Sequence, residues 1–110
     1  MRKLSEKDIQ ILKKLAPETE KIREIEYRSI LPPVSIYYAA DEEDFETRLE
    51  RLSSDDLKYL AARILDGSEC LLCISPEYAG IFIRFLEKHM EEDEAELIKN
   101  LYESSTGYTV

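Results

Sequence analysis

Cys70-Leu71-Leu72-Cys73 is the one arrangement in this chain with a recognised chemical grammar. Two cysteines at this spacing can cycle between dithiol and disulfide, or supply half of a tetrahedral zinc site. The chain holds two cysteines and one histidine, so Cys70, Cys73 and His89 are its candidate metal ligands. A closed four-cysteine site within one chain is excluded, although a dimer could bring four sulfurs together. Redox chemistry of the usual kind expects a βαβ setting, with a helix opening at the first cysteine. Here the surroundings read as helical, and the strong helix start Ser75-Pro76 comes after Cys73. The leucines between the cysteines predict burial, where free cysteine commonly serves as a small core hydrophobe. The preferred reading is therefore structural, with no cofactor expected and zinc as the fallback.

The other candidates are weaker. His89 lies in line with Tyr78, Phe82 and Phe85 in the last turn of its helix, where an imidazole can meet the C-terminal carbonyls. Asp41-Glu42-Glu43-Asp44 lacks the central glycine and terminal glutamate of a calcium loop, and Glu91-Glu92-Asp93-Glu94 likewise sits where a helix begins. Gly67, Gly80 and Gly107 cannot build a phosphate-binding loop or a nucleophile elbow. A DNA-reading helix-turn-helix fails because the connection between helices 55–66 and 76–90 is far too long, and the second helix is the most apolar of all. Tyr37-Tyr38 could form a recognition patch, or two rings lidding the core. The terminal Tyr108-Thr109-Val110 has the form of a capturable C-terminal peptide, a pattern of low specificity.

These residues must be positioned by helices. Ser5 caps a first helix with Ile9, Leu12, Leu15 and Ala16 on one face. Pro17 opens a second over 17–31, with a thin apolar face of Ile22 and Ile25. Pro32-Pro33 predicts its end, because each proline pushes its predecessor out of the α region. Residues 32–40 then read as an extended, proline-flanked connector. Asp41 begins a helix carrying Phe45, Leu49 and Leu52. Ser53 or Ser54 caps the next, whose Leu57, Leu60, Ala61, Ile64 and Leu65 share a face before Gly67. The helix after Ser75-Pro76 carries apolar residues over roughly 200° of its circumference. It is either a central helix packed on several sides or one whose edge, Ile81 with Phe85, faces a second chain. Ala79-Gly80 and Ala61-Ala62 offer small surfaces for close backbone approach. A last helix spans about 92–102 with Ile98, Leu101 and Tyr102 on its inner side, and Ser104-Ser105-Thr106-Gly107 predicts a break and a frayed tail over 104–110.

The expectation is an all-α, irregular bundle of five or six helices in a single domain, 1–103. At 110 residues and 44% hydrophobic content a real core is feasible, and no stretch approaches the length of a membrane span. The formal net charge of −9 is uneven: residues 1–28 carry +2, residues 41–110 carry −11. That acidic body disfavours nucleic acid and anionic membrane as partners, and points to a protein, a second copy of the chain included. Charge-rich, amide-poor composition leans toward a thermophilic source, and the expected compartment is the cytoplasm. By elimination the function reads as a non-enzymatic interaction module, subunit or adaptor, with Ile81, Phe85, Tyr37 and Tyr38 as candidate contacts. The alternatives are a thiol- or metal-dependent protein using Cys70 and Cys73, and an acidic inhibitor masking a basic protein.

Overall fold

A computed structural model describes residues 4–18 and 29–110. The described residues form helices and turns without strands: α1 (Glu6–Leu15), α2 (Leu31–Pro33) running into a π-helical turn (Val34–Tyr38), α3 (Glu42–Leu49), α4 (Ser54–Leu65), a 3-10 turn (Leu71–Cys73), α5 (Pro76–His89) and α6 (Glu92–Thr106). The all-α class is as the periodicity predicts, with six α-helices among the described residues, of which the short α2 was not expected. Most of the helix expected over 17–31, with Ile22 and Ile25, lies outside the described residues.

Capping explains where helices start. Ser5 and Ser53 each accept the N–H of the third helical residue, and that residue's aspartate, Asp8 or Asp56, accepts the cap's own N–H. Asp41 caps α3 by accepting from Asp44 N–H, and Pro76 occupies the first position of α5, where no N–H is needed. Gly67 and Gly107 take the left-handed backbone that terminates α4 and α6.

The residues around Pro32-Pro33 correct the expectation of an extended connector. The prolines start a helix instead of ending one. Pro32 and Pro33 bring no N–H to the first turn, and the two donors ahead of them, Ile30 and Leu31, are satisfied by the Glu69 carboxylate at 2.8–3.0 Å. Val34 N–H bonds to Leu31 O, so every donor of that turn is absent or paired. The chain becomes extended only at Ala39.

The wide apolar face of α5 is consumed within the chain. Ala79, Phe82 and Leu86 are fully buried, and Ile81 and Phe85 keep only 8% and 5% of their surface. This corrects Ile81 and Phe85 as candidate interface residues: both belong to the core. Their cover comes from α3 and α6, which lie alongside α5, and the Phe45 ring of α3 meets Tyr78 edge-on at 4.9 Å. Over Gly80 stand the Arg84 guanidinium and Val110, not a neighbouring helix: a Cβ there would come within 3.1 Å and 3.8 Å of them. α6 runs to Thr106, past the expected break at Ser104, and Val110 turns back to donate its N–H to Glu103. Ile98 and Tyr102 face inward as expected, whereas Leu101, expected beside them, is exposed.

Phe85→Ala should cost about 3–5 kcal/mol of unfolding free energy. Phe85→Asp should unfold the chain and not yield a folded monomer, because a charge would be left in the core. Denaturant unfolding followed by circular dichroism, with sedimentation of Phe85→Asp, measures both.

Candidate functional site

Cys70 and Cys73 are joined by a disulfide, with Cα atoms 5.4 Å apart. The bond spans the 3-10 turn between α4 and α5. At three residues per turn, successive side chains point about 120° apart, so this turn cannot bury all its members. Leu71 and Ile74 point inward and are buried, Cys70 is half-buried, and Leu72 and Cys73 are exposed. This corrects the expected burial of both cysteines. Paired with each other, the two sulfurs are not thiolate ligands. His89 is not brought to them: it is exposed and lies over Phe85, ring centroids 4.4 Å apart. Among the described residues no group of three or more His, Cys, Asp or Glu side chains is placed to hold a metal ion.

The turn is held from three directions. Cys70 N–H donates to Ser29 Oγ at 3.0 Å, and Tyr102 of α6 donates its hydroxyl proton to Ile74 O at 3.2 Å. The third hold is Glu69, whose carboxylate is buried and accepts from Ile30 and Leu31 on one side and Arg63 on the other. Arg63 is itself buried: Nη1 stands 3.1 Å from Asp8 Oδ2, Nη2 is 3.2 Å from Glu69 Oε1, and Nη2 also donates to Ser68 O at 2.9 Å. Asp8 completes the cluster by accepting from Tyr59 Oη at 2.7 Å. Burial pushes the Glu69 carboxyl above its usual range, only partly offset by the two backbone N–H groups and Arg63. For Asp8 burial acts in the same direction, but hydrogen bonds from Ser5 and Tyr59, with Arg63 nearby, bring it below its usual range.

Sequence reasoning found the cysteines and missed this cluster. Asp8, Arg63 and Glu69 are not among the residues that motif and spacing single out. The available signal was Glu69 beside the buried Leu71 and six residues after Arg63. A second buried arginine, Arg48, grips Glu18 with two nitrogens, 2.8 and 3.1 Å away, and donates to Leu15 O and Tyr38 O, tying the end of α1 to the π-helical turn. The two tyrosines there diverge: Tyr38 packs against the core, while Tyr37 is 66% exposed beside exposed Ile36.

A disulfide closing so short a loop constrains the unfolded chain by only about 2 kcal/mol, against about 3 for a 15-residue loop. Its structural contribution is small, and one of its two cysteines, Cys73, is exposed. The chain is thus an all-α bundle presenting an exposed disulfide on a turn backed by a buried ion cluster. Comparison with protein-family models, curated proteins and solved structures finds no match to it.

Arg63→Met should cost about 3–5 kcal/mol, because it leaves two buried carboxylates without their cation. The pH dependence has two limbs. Asp8, lowered from 3.8, gives stability that is full above that value and lost as pH falls through its folded pKa. Glu69, raised from 4.5, holds its proton more tightly when folded, so its contribution declines as pH rises from 4.5 through the folded pKa. Urea midpoints across pH should show Asp8→Asn flattening the acid limb and Glu69→Gln removing the upper decline.

Proposed function

We propose that the chain is a non-enzymatic interaction module, a small helical subunit or adaptor that docks a basic protein on the solvent-facing flank of α6. What carries the reading is the pair Leu97 and Leu101, 57% and 39% exposed, one turn apart on a helix whose Ile98 and Tyr102 are buried. Side chains four apart lie side by side on a helix, so the two leucines make one apolar strip. At about 100° per residue, Asp93 and Glu94 border it at one end and Ser104 and Ser105 at the other, while Lys99 falls on the opposite flank. The strip is therefore edged by acids at one end and hydroxyls at the other, with no α6 cation beside it.

That chemistry suits a partner with an apolar ridge next to Lys or Arg. Apolar contact supplies the centre of such an interface, and opposite charge steers the encounter. A second copy of the chain is the poorer fit, since two bodies of net charge −9 bring acid against acid. The same repulsion turns away nucleic acid and anionic membrane surfaces. The narrower version, an acidic inhibitor that masks a basic protein, uses the same surface. Ile36 and Tyr37 supply a second exposed pair, on the π-helical turn. No helix among the described residues is long and apolar enough to cross a membrane, and the reading places the module in the cytoplasm.

A photo-reactive side chain at Leu97, with one at exposed Glu87 as control, should crosslink a basic protein in the native cell from position 97 only. The purified pair should then bind more weakly as salt rises. Replacing both Leu97 and Leu101 with Ser should lower affinity at least about tenfold while leaving the fold intact. Binding indifferent to both leucines, or a dimer of this chain in low-salt sedimentation, would count against the reading.

A further inference from the structure

We propose that Cys70–Cys73 is a working thiol–disulfide exchange site, which accepts two electrons from a dithiol and is attacked at Cys73. Two observations point the same way. The first is access: Cys73 is exposed and Cys70 is half-buried, on the turn that the bond spans. Exchange requires a thiolate to approach one sulfur in line with the bond, so the accessible sulfur is attacked and the shielded one leaves. Exposed disulfides are the labile and catalytic ones; structural disulfides are typically protected from attack.

The second observation is that the turn has holds that do not pass through the bond. Its backbone is held by Ser29 Oγ on Cys70 N–H and by the Tyr102 hydroxyl on Ile74 O. Its neighbour Glu69 is fixed by Ile30, Leu31 and Arg63. The Leu71 and Ile74 side chains are anchored in the core. None of these contacts involves a sulfur. The bond can therefore open and close while the frame keeps both sulfurs within reach, which is what a reversible couple needs and a staple does not.

The reaction balances as follows. One thiolate of the dithiol attacks Cys73 Sγ; a new S–S bond forms, the Cys70–Cys73 bond breaks, and Cys70 leaves as a thiolate and takes up a proton. The second thiolate of the dithiol attacks its own sulfur in the mixed disulfide, and Cys73 leaves as a thiolate that is protonated in turn. The dithiol becomes a disulfide, and its two electrons and two protons reside on Cys70 and Cys73.

The test uses the whole chain and dithiothreitol as the dithiol. Alkylation and mass measurement should show both thiols appearing under native conditions, with the helical spectrum and melting behaviour little changed, and the bond re-forming on addition of oxidised dithiothreitol. In the single variants, Cys73 of Cys70→Ser should react with oxidised glutathione at least about tenfold faster than Cys70 of Cys73→Ser, following access. A bond that yields only when the protein is unfolded would overturn the proposal, as would equal rates at the two sulfurs. Tight uptake of one zinc ion per pair of reduced chains would also overturn it, by assigning the sulfurs to a metal.

Discussion

Arg63 has been taken out of water near the end of α4 and set between two carboxylates that are themselves buried, Asp8 of α1 and Glu69 of the following loop. Apolar contact is non-directional and by itself leaves helices free to slide or rotate against one another. A guanidinium offers donors in a fixed fork, so a pair at 3.1 Å on one side and 3.2 Å on the other admits one relative placement of α1, α4 and the loop. Such a cluster is a doubtful source of net stability, since desolvating three ionisable groups offsets much of their attraction. Its consequence is registry. Glu69 carries that registry onward to Ile30 and Leu31, and the disulfide turn begins at the next residue.

The same cluster explains what could and could not be read along the chain. α4 and α5 were legible almost to the residue, because cap, periodicity and stop signals agree and their apolar faces meet ordinary apolar neighbours. α1 was legible as a helix but not in its orientation. The face of Ile9, Leu12, Leu15 and Ala16 places Ile9 inward, yet Ile9 is exposed and Asp8 and Ile11 are buried. A buried aspartate turns the helix, and only a partner 55 residues away makes that burial tolerable. Leu65 is exposed for a related reason: the last turn of α4 is oriented by Arg63, on the other side of the helix.

Pro32-Pro33 shows the limit in its clearest form. Locally the pair argues for a stop, since a residue before proline avoids the α region. Leu31 and Pro32, the residues that precede the two prolines, nevertheless stand in helix α2, and Ile30 and Val34 on either side adopt helical angles. What overrides the local preference is a carboxylate 38 residues downstream in sequence, which takes the two N–H groups that the prolines do not remove. The cysteine spacing was equally legible while its exposure was not. Two leucines in a row suggest burial of the whole segment, but a single 3-10 turn buries Leu71 and directs Leu72 and Cys73 outward.

The position of α5 decides where the molecule can meet anything else. A helix with apolar residues over so much of its circumference needs neighbours on several sides, and a chain this short supplies them by committing α3 and α6 to that task. α6 then has one face spent on Ala95, Ile98 and Tyr102, and its remaining surface must face solvent. Solubility alone would fill that surface with charge, as it does at Asp93 and Glu94. Leucine at two positions one turn apart runs against that pressure, because each exposes apolar area that the core does not use. Single exposed leucines are ordinary on protein surfaces; a helical pair bordered by one sign of charge presents the composition of an interface centre and rim together. α6 thus divides at the step from Leu97 to Ile98: its inward-facing residues belong to the core, and its outward-facing leucines are apolar area that the core leaves to solvent.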